Sequence, residues 1–301
     1  MPLKYKVDEK YFSVIDNEHK AYWLGFIYAD GYLNKNKNVF GIEINQSDAA
    51  HLEKFNQDIK SDRPIKIYNK NSTFGAQINC RWTCSNIILY NDLINHGLTT
   101  TKSYDGTFPI IEYEEYTKDV IRGIFDGDGS ITYRKGTIGY LIGSISICNT
   151  KETLEYIEKF SGFKWKWSQR HPEKNINNYQ IACGNQKNIV NFLNLIYNNA
   201  DIYLDRKYQK YQEYVSSRNF IEKEGINRHN YNRISKNNTS GVSGVSWCKS
   251  NKKWNAIITV SGEPINLGYF VDFDSAVKAR KDAENKYLSS FWKEEGDKIA
   301  L

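Results

Sequence analysis

The chain has 301 residues, 40% of them hydrophobic, which is long for one compact core and comfortable for two or three. Forty-one Lys and Arg against 35 Asp and Glu give a formal charge of +6, a basic balance that suits a polyanionic partner without demanding one. Five scattered cysteines, five isolated histidines, a charged N-terminus and no apolar run near ~20 residues argue against a disulfide framework, a zinc site, a His-Asn-His nuclease, a signal peptide and a membrane span, leaving a soluble intracellular protein as the expectation.

The first predicted element is a helix over Glu18 to Tyr28, running into WLGFIYADGYL at 23–33. A hairpin follows (Tyr32 to Lys35, then Asn38 to Asn45), then a helix opening at Ser47, strands near 64–70 and 75–83, and a helix ending at Gly97. Phe40, Ile42 and Ile44, then Ile65 and Ile67, then Ala76, Ile78, Cys80 and Trp82 alternate with polar residues, the period of a half-buried strand. Glu43, Asn45, Lys66, Tyr68, Gln77, Asn79 and Arg81 take the opposite, open face.

About a hundred residues on, the pattern returns. A helix over Thr117 to Phe125 runs into IRGIFDGDGSI at 121–131, and alignment of the two copies superimposes Gly25 on Gly123, Ala29 on Gly127, Asp30 on Asp128 and Gly31 on Gly129. Strands near 130–135 and 139–148, a helix from Thr150 to Gly162, strands near 163–169 and 178–183 and a helix over 186–199 complete the second copy. Its polar face carries Thr132, Arg134, Ser144, Ser146, Lys164, Lys166, Ser168, Arg170 and Gln180. The fold class is therefore α+β, two pseudo-symmetric α-β-β-α-β-β-α halves with helices on one side of each antiparallel sheet.

The GDGDG-like texture of the second copy is not a calcium loop. Counted from Asp126, the positions that need Gly and a bidentate Glu hold Ile131 and Thr137. Each helix instead carries a small-residue stripe, Gly25 with Ala29 and Gly123 with Gly127, which lets two backbones approach closely. Facing stripes would bring Asp30 and Asp128 side by side at two helix C-termini, where the helix dipole and their mutual repulsion disfavour them. A hard divalent cation such as Mg2+ offsets both costs.

WLGFIYADG and IRGIFDGDG resemble the two motifs of the LAGLIDADG homing endonucleases, and the resemblance covers roughly residues 15–215. It implies a monomer whose two sheets form a saddle on double-stranded DNA and a site-specific, metal-dependent double-strand break. Asp30 and Asp128, with Ala29 and Gly127 beside them, would hold two or three Mg2+ ions. Gln46 and Asn149 occupy the places of the family's polar residue at the end of the second strand, and Lys102 and Lys207 those of its lysine near the close of each half. Tyr28 and Asp126 differ at the sixth motif position, which the family does not use as a metal ligand. The same scaffold also serves RNA maturases acting on a host intron and catalytically idle DNA-binding regulators.

Beyond 215, an Asn- and Arg-rich stretch over 216–238 is expected to be a linker. Three short strands (Gly244 to Lys249, Lys253 to Val260, Ile265 to Phe270) and a helix from Asp274 to about Leu288 follow, with a tail over 293–301. GVSW, KKWNAII, LGYF and the helix alanines resemble an Apetala-two/ethylene-responsive-factor DNA-binding domain over 239–292. The resemblance implies a major-groove sheet with Trp247, Lys249, Lys253 and Trp254 near the DNA.

Overall fold

The computed structural model describes residues 5–72, 75–101, 105–135, 141–170, 177–223, 238–260 and 263–296. The described residues divide into two compact units, one up to 215 and the other from 216 onward.

In the first unit, α1 (Glu18–Asp30) leads into β1 (Gly31–Asn34), β2 (Val39–Asn45), α2 (Ala49–Asp58), β3 (Lys66–Ser72), β4 (Gly75–Ser85) and α3 (Ile87–Asn95). The second half repeats this order: α4 (Thr117–Asp128), β5 (Gly129–Lys135), β6 (Leu141–Asn149), α5 (Lys151–Ser161), β7 (Lys166–Gln169), β8 (Tyr179–Cys183) and α6 (Gln186–Tyr197). The two antiparallel sheets share one topology, β1-β2-β4-β3 and β5-β6-β8-β7. The α+β class and the repeat are as the sequence patterning predicts.

Helices α1 and α4 form the joint between the halves, and their glycines set its closeness. A Cβ on Gly25 would lie 2.1 Å from the Val120 carbonyl oxygen, and one on Gly123 2.1 Å from that of Tyr22. No side chain fits there. The partners on either side, Tyr22, Phe26, Val120 and Ile124, are fully buried. Arg122 fastens the N-terminal end of the same joint: it donates to Glu18 of α1 (2.7 Å), to Asp119 (2.9 Å), and to the carbonyls of Ile196 and Ile202 (both 2.8 Å).

Each sheet buries the face toward its helices. In the first half Phe40, Ile42, Cys80, Trp82 and Cys84 are fully buried against Leu52 and Phe55 of α2 and Leu89 and Leu93 of α3. Ile67 and Ile78, expected on that inward face, have the right parity but are 57% and 47% exposed, because the β3–β4 hairpin runs past the helices that cover the sheet.

One helix escaped the sequence reading. Asp205–Lys223 forms α7, so residues 216–223, expected as linker, are helical. Its packing face is Tyr208, Tyr211, Tyr214 and Val215, and aromatic rings with polar tips leave little hydropathy signal.

In the second unit the sheet order is β11-β10-β9 for β9 (Val245–Cys248), β10 (Lys253–Val260) and β11 (Glu263–Phe270), and α8 (Phe273–Gly296) packs on one face, running four residues into the expected tail. Val245, Ala256 and Ala276 make the small core.

Candidate active site

Both motif helices end the same way. The Gly31 N–H donates to the Ile27 carbonyl and the Gly129 N–H to that of Phe125, with φ −82° and −85°. These glycines are extended rather than left-handed, and are required by space. A Cβ on Gly31 would come within 2.3 Å of the Ile27 carbonyl oxygen, and one on Gly129 within 2.4 Å of the Phe125 ring. The chain therefore turns sharply off each helix into its first strand, leaving Asp30 and Asp128 as the last helical residues.

The stripes carry this symmetry to the acids. A Cβ on Gly127 would fall 2.3 Å from Ala29 Cβ and 3.3 Å from Asp30 Oδ2, so the Asp30 carboxylate lies against the residue that precedes Asp128. Both aspartates are partly buried, and neither helix has a basic residue in its last turn. The offsetting cation comes from α7. Lys207, 3% exposed, donates to the carbonyls of Phe125 (2.6 Å), Asp126 (2.7 Å) and Gly129 (2.6 Å), with a longer contact to Gly127 at 3.5 Å. Burial pulls its ammonium down to about 8, while Asp126, Asp30 and Asp128 pull it back up. Lys207, expected as a catalytic lysine, thus directs its donors to backbone carbonyls at the end of α4.

Asn149, at the end of β6, donates to Asp128 Oδ2 (2.8 Å) and accepts from the Tyr28 hydroxyl (3.1 Å), which also meets Thr153 (2.7 Å). Tyr28, Ala29, Asp128, Cys148, Asn149, Thr150, Asn177 and Asn178 line a cleft of about 170 Å³ at this point. Gln46, the first-half counterpart, is exposed in the turn after β2, and Lys102 lies outside the described residues. The site is therefore built asymmetrically around two similar acids.

Sequence reading passed over the most buried acid. Asp126 is fully buried and accepts from the hydroxyls of Tyr22 (2.8 Å) and Tyr197 and from the Leu204 N–H (2.7 Å). Burial raises its carboxyl above the usual range, against the pull of Lys207 and these donors. Tyr22 also meets His51 Nε2 at 2.8 Å; since its proton goes to Asp126, the imidazole is the donor there and Nδ1 is left without a hydrogen. Burial, then Lys54 and Arg206, lowers His51 to about 3, so it stays neutral.

The donor set suits a hard cation. Two carboxylates with the carbonyls of Ala29 and Gly127 nearby are oxygen ligands, and among the described residues no three His, Cys, Asp or Glu side chains gather into a complete protein cage. Mg2+, which keeps waters and takes phosphate oxygens, needs no such cage.

The open faces hold most of the remaining expected residues. Across the first sheet, Glu43, Arg81 and Lys66 are in register, as are Asn45, Asn79 and Tyr68, and Gln77 with Lys70. Asn45 spends its side-chain oxygen on the Ser47 N–H (2.9 Å). In the second sheet Ser146 and Lys166 share a row with Ser130 and Ala182, Ser168 sits beside Gln180 and Cys148, and Ser144 and Arg134 lie on the same face. Arg170 reaches that face from beyond β7, with Nη1 3.2 Å from Cys148 Sγ. Lys164 does not join them: it precedes β7, and its ammonium is 3.7 Å from Glu158 of α5, on the helical side.

In the second unit, alternation puts the tryptophans opposite to expectation. Trp254 has the parity of Ala256 and packs on Phe273 of α8 with ring centroids 4.7 Å apart, while Trp247, its cross-strand partner, shares that face and is 44% exposed. The open face instead presents Ser246, Asn255 and Tyr269 in one row, with Lys253 in the next; Lys249 is exposed in the turn after β9.

The fold is thus an α+β pair of repeated helix-hairpin halves with a small additional sheet-and-helix unit. Among solved structures the chain is similar to the LAGLIDADG homing endonuclease I-GzeII in complex with its DNA target, at 13% identity and a TM-score of 0.46 over 71% of this chain and 94% of that one. It is similar also to the I-LtrWI LAGLIDADG homing endonuclease bound to target DNA (13%, TM-score 0.46, 73% and 94%) and to full-length DUF199/WhiA from Thermatoga maritima (17%, TM-score 0.43, 74% and 73%). No family model and no curated protein matches the chain. Among the described residues no helix is long and apolar enough to cross a membrane.

Proposed function

We propose that the chain is a DNA-binding, divalent-metal-dependent endonuclease of the homing type, cutting one phosphodiester on each strand of a specific duplex site. The observation that carries this reading is the paired helix ends, with Asp30 against Gly127 and Asp128 held by Asn149. Two scissile phosphates on opposite strands call for two equivalent acidic positions, and a pseudo-twofold joint provides them.

Asp30 and Asp128, with the Ala29 and Gly127 carbonyls, would hold Mg2+. When bound, the ion lowers the pKa of water and stabilises charge on phosphate oxygens. The protein's own contribution is positional. Asn149 orients the Asp128 carboxylate, Tyr28 orients Asn149, and Lys207 fixes the end of α4. The polar faces of the two sheets supply the duplex contacts, and the C-terminal unit adds affinity through effective concentration.

The test uses the full-length protein, Mg2+ and duplex DNA spanning the uninterrupted insertion site of its own gene. The expected result is a double-strand break in wild type, and no break but retained gel-shift binding in Asp30→Asn with Asp128→Asn. Specific binding without cleavage at any Mg2+ concentration would make the chain a regulator. Stimulated splicing of a host intron without nicking would make it a maturase.

A further inference from the structure

The open face of the first sheet holds a carboxylate where contact with a polyanion disfavours one. Glu43 lies on β2, with Arg81 directly across on β4 and Lys66 beyond it on β3. Its Oε1 accepts from Lys70 Nζ (2.7 Å) and Asn79 Nδ2 (3.2 Å), and its Oε2 from Arg81 Nε (3.2 Å) and Nη2 (2.7 Å). Burial acts to raise its pKa, but bonds from Lys70, Tyr68, Arg81 and Asn79 outweigh that and hold it at about 2, so it is charged at any working pH.

Arg81 is fixed from three sides. One edge of its fork is on Glu43, Nη2 also donates to the Tyr68 hydroxyl (2.7 Å), and the guanidinium sits 4.6 Å from the Tyr68 ring centroid and 5.9 Å from that of Tyr32. It nonetheless remains 38% exposed, whereas Glu43 is 17% exposed. A planar cation clamped by a carboxylate and stacked on an aromatic ring has given up its rotamer freedom before any ligand arrives. Among the described residues Nη1 has no hydrogen-bond partner. In the second sheet the matching row is Cys148, Gln180 and Ser168, which carries neither a carboxylate nor an arginine, and Arg170 approaches its Cys148 from beyond β7.

We propose that Arg81 is a guanine-reading residue of the first half-site and that Glu43 is the positioning residue that aims it. This rests on the DNA-binding reading above. With Nε and both Nη2 hydrogens spent on Glu43 and Tyr68, the two hydrogens of Nη1 face outward, and guanine, whose major-groove edge offers two adjacent acceptors in O6 and N7, is the base that takes both. Gln180 at the matching place of the second sheet suits adenine instead. The first half of the target therefore carries a fixed guanine that the pseudo-symmetric position of the second half lacks.

The experiment is binding-site selection from a randomised duplex pool with wild type, Arg81→Lys, Glu43→Gln, Lys70→Met and the Arg81→Lys/Glu43→Gln pair, each checked for an unchanged thermal midpoint. Wild type should enrich guanine at one first-half position by roughly 5- to 150-fold over other bases. Arg81→Lys keeps the charge and the salt dependence of binding but loses that enrichment. Glu43→Gln loses most of it at the same position, the pair is no worse than Arg81→Lys alone, and Lys70→Met keeps it. Guanine enrichment unchanged in both single variants overturns the assignment while leaving DNA binding intact, and so does a Glu43→Gln variant that only tightens binding equally to every sequence. Failure of wild type to enrich any duplex overturns the DNA-binding reading as well.

Discussion

The Tyr22 hydroxyl of α1 donates at 2.8 Å to Asp126, the fully buried acid of α4, so the two halves are joined through a buried carboxyl as well as through close backbone contact. Tyr197 and the Leu204 N–H complete the acid's hydrogen bonding, and the Lys207 ammonium of α7 donates to the Asp126 carbonyl. Removing the acceptor strands three buried donors and a buried ammonium. Asp126→Leu should cost about 3–5 kcal/mol, and Asp126→Asn about 1–3 kcal/mol, since the amide keeps one acceptor oxygen. Urea unfolding of the two variants checks the order.

The glycines of the joint make a second, independent prediction. In an exposed helix Gly→Ala gains about 1 kcal/mol in propensity. Here a methyl at 25 or 123 would meet backbone at 2.1 Å, and backbone has no rotamer to yield. Gly25→Ala and Gly123→Ala should each lower the thermal midpoint, by an overpacking cost of about 1–3 kcal/mol or more. Gly162→Ala is a control with no atom in its way but a φ of +75°, so it tests strain alone.

The repeat, the hairpins and the stripe geometry were legible because each rests on a short-range rule: period-two alternation, small residues four apart, glycine where space vanishes. What was not legible depends on chain segments far apart. Lys207 stands out in the sequence only as the family's lysine near the close of the second half, and its place against the carbonyls of 125, 126 and 129, some eighty positions upstream, shows only in the fold. Asp126 reads only as a departure at the sixth motif position, and nothing local shows that Tyr22 and Tyr197 cover it. Trp254 is a different case, for the signal was present. It stands two and four residues before Ala256 and Ile258, both fully buried, and the parity alone assigns it to the helix side.

That placement predicts unequal tryptophans. Trp254 packs on Phe273 and belongs to the second unit's core, so Trp254→Ala should cost about 3–5 kcal/mol and unfold that unit first. Trp247, 44% exposed and edge-on to Trp254 at 5.3 Å, should cost far less. Tryptophan fluorescence during denaturation separates the two.

Stability at mild pH has an identifiable contributor. His19 Nδ1 lies 2.8 Å from Asp58 Oδ2, which also accepts from Trp23 Nε1 at 2.6 Å, and the Asp58 bond raises the imidazole's pKa despite burial. The folded state therefore holds the proton more tightly than the unfolded chain. The associated stability is full below the unfolded value of about 6.5 and is lost as pH rises through the higher folded value. A urea midpoint measured from pH 5.5 to 8.5 should fall across that window in wild type and flatten there in His19→Gln.

Lys207 offers the sharpest division between structure and chemistry. If its task is to cap α4, Lys207→Met leaves the carbonyls of Phe125, Asp126 and Gly129 without a donor and Asp126 without its cation. Breaking a buried pair from one side costs about 3–5 kcal/mol. Lys207→Arg keeps the charge but brings a larger, planar head to a site shaped for a point donor, and should recover only part of that. A residue that acted on substrate alone would behave oppositely, since its removal would leave the unfolding midpoint within about 0.5 kcal/mol of wild type and change only turnover. An unchanged midpoint in Lys207→Met, with cleavage lost, would therefore move this lysine from the scaffold to the reaction.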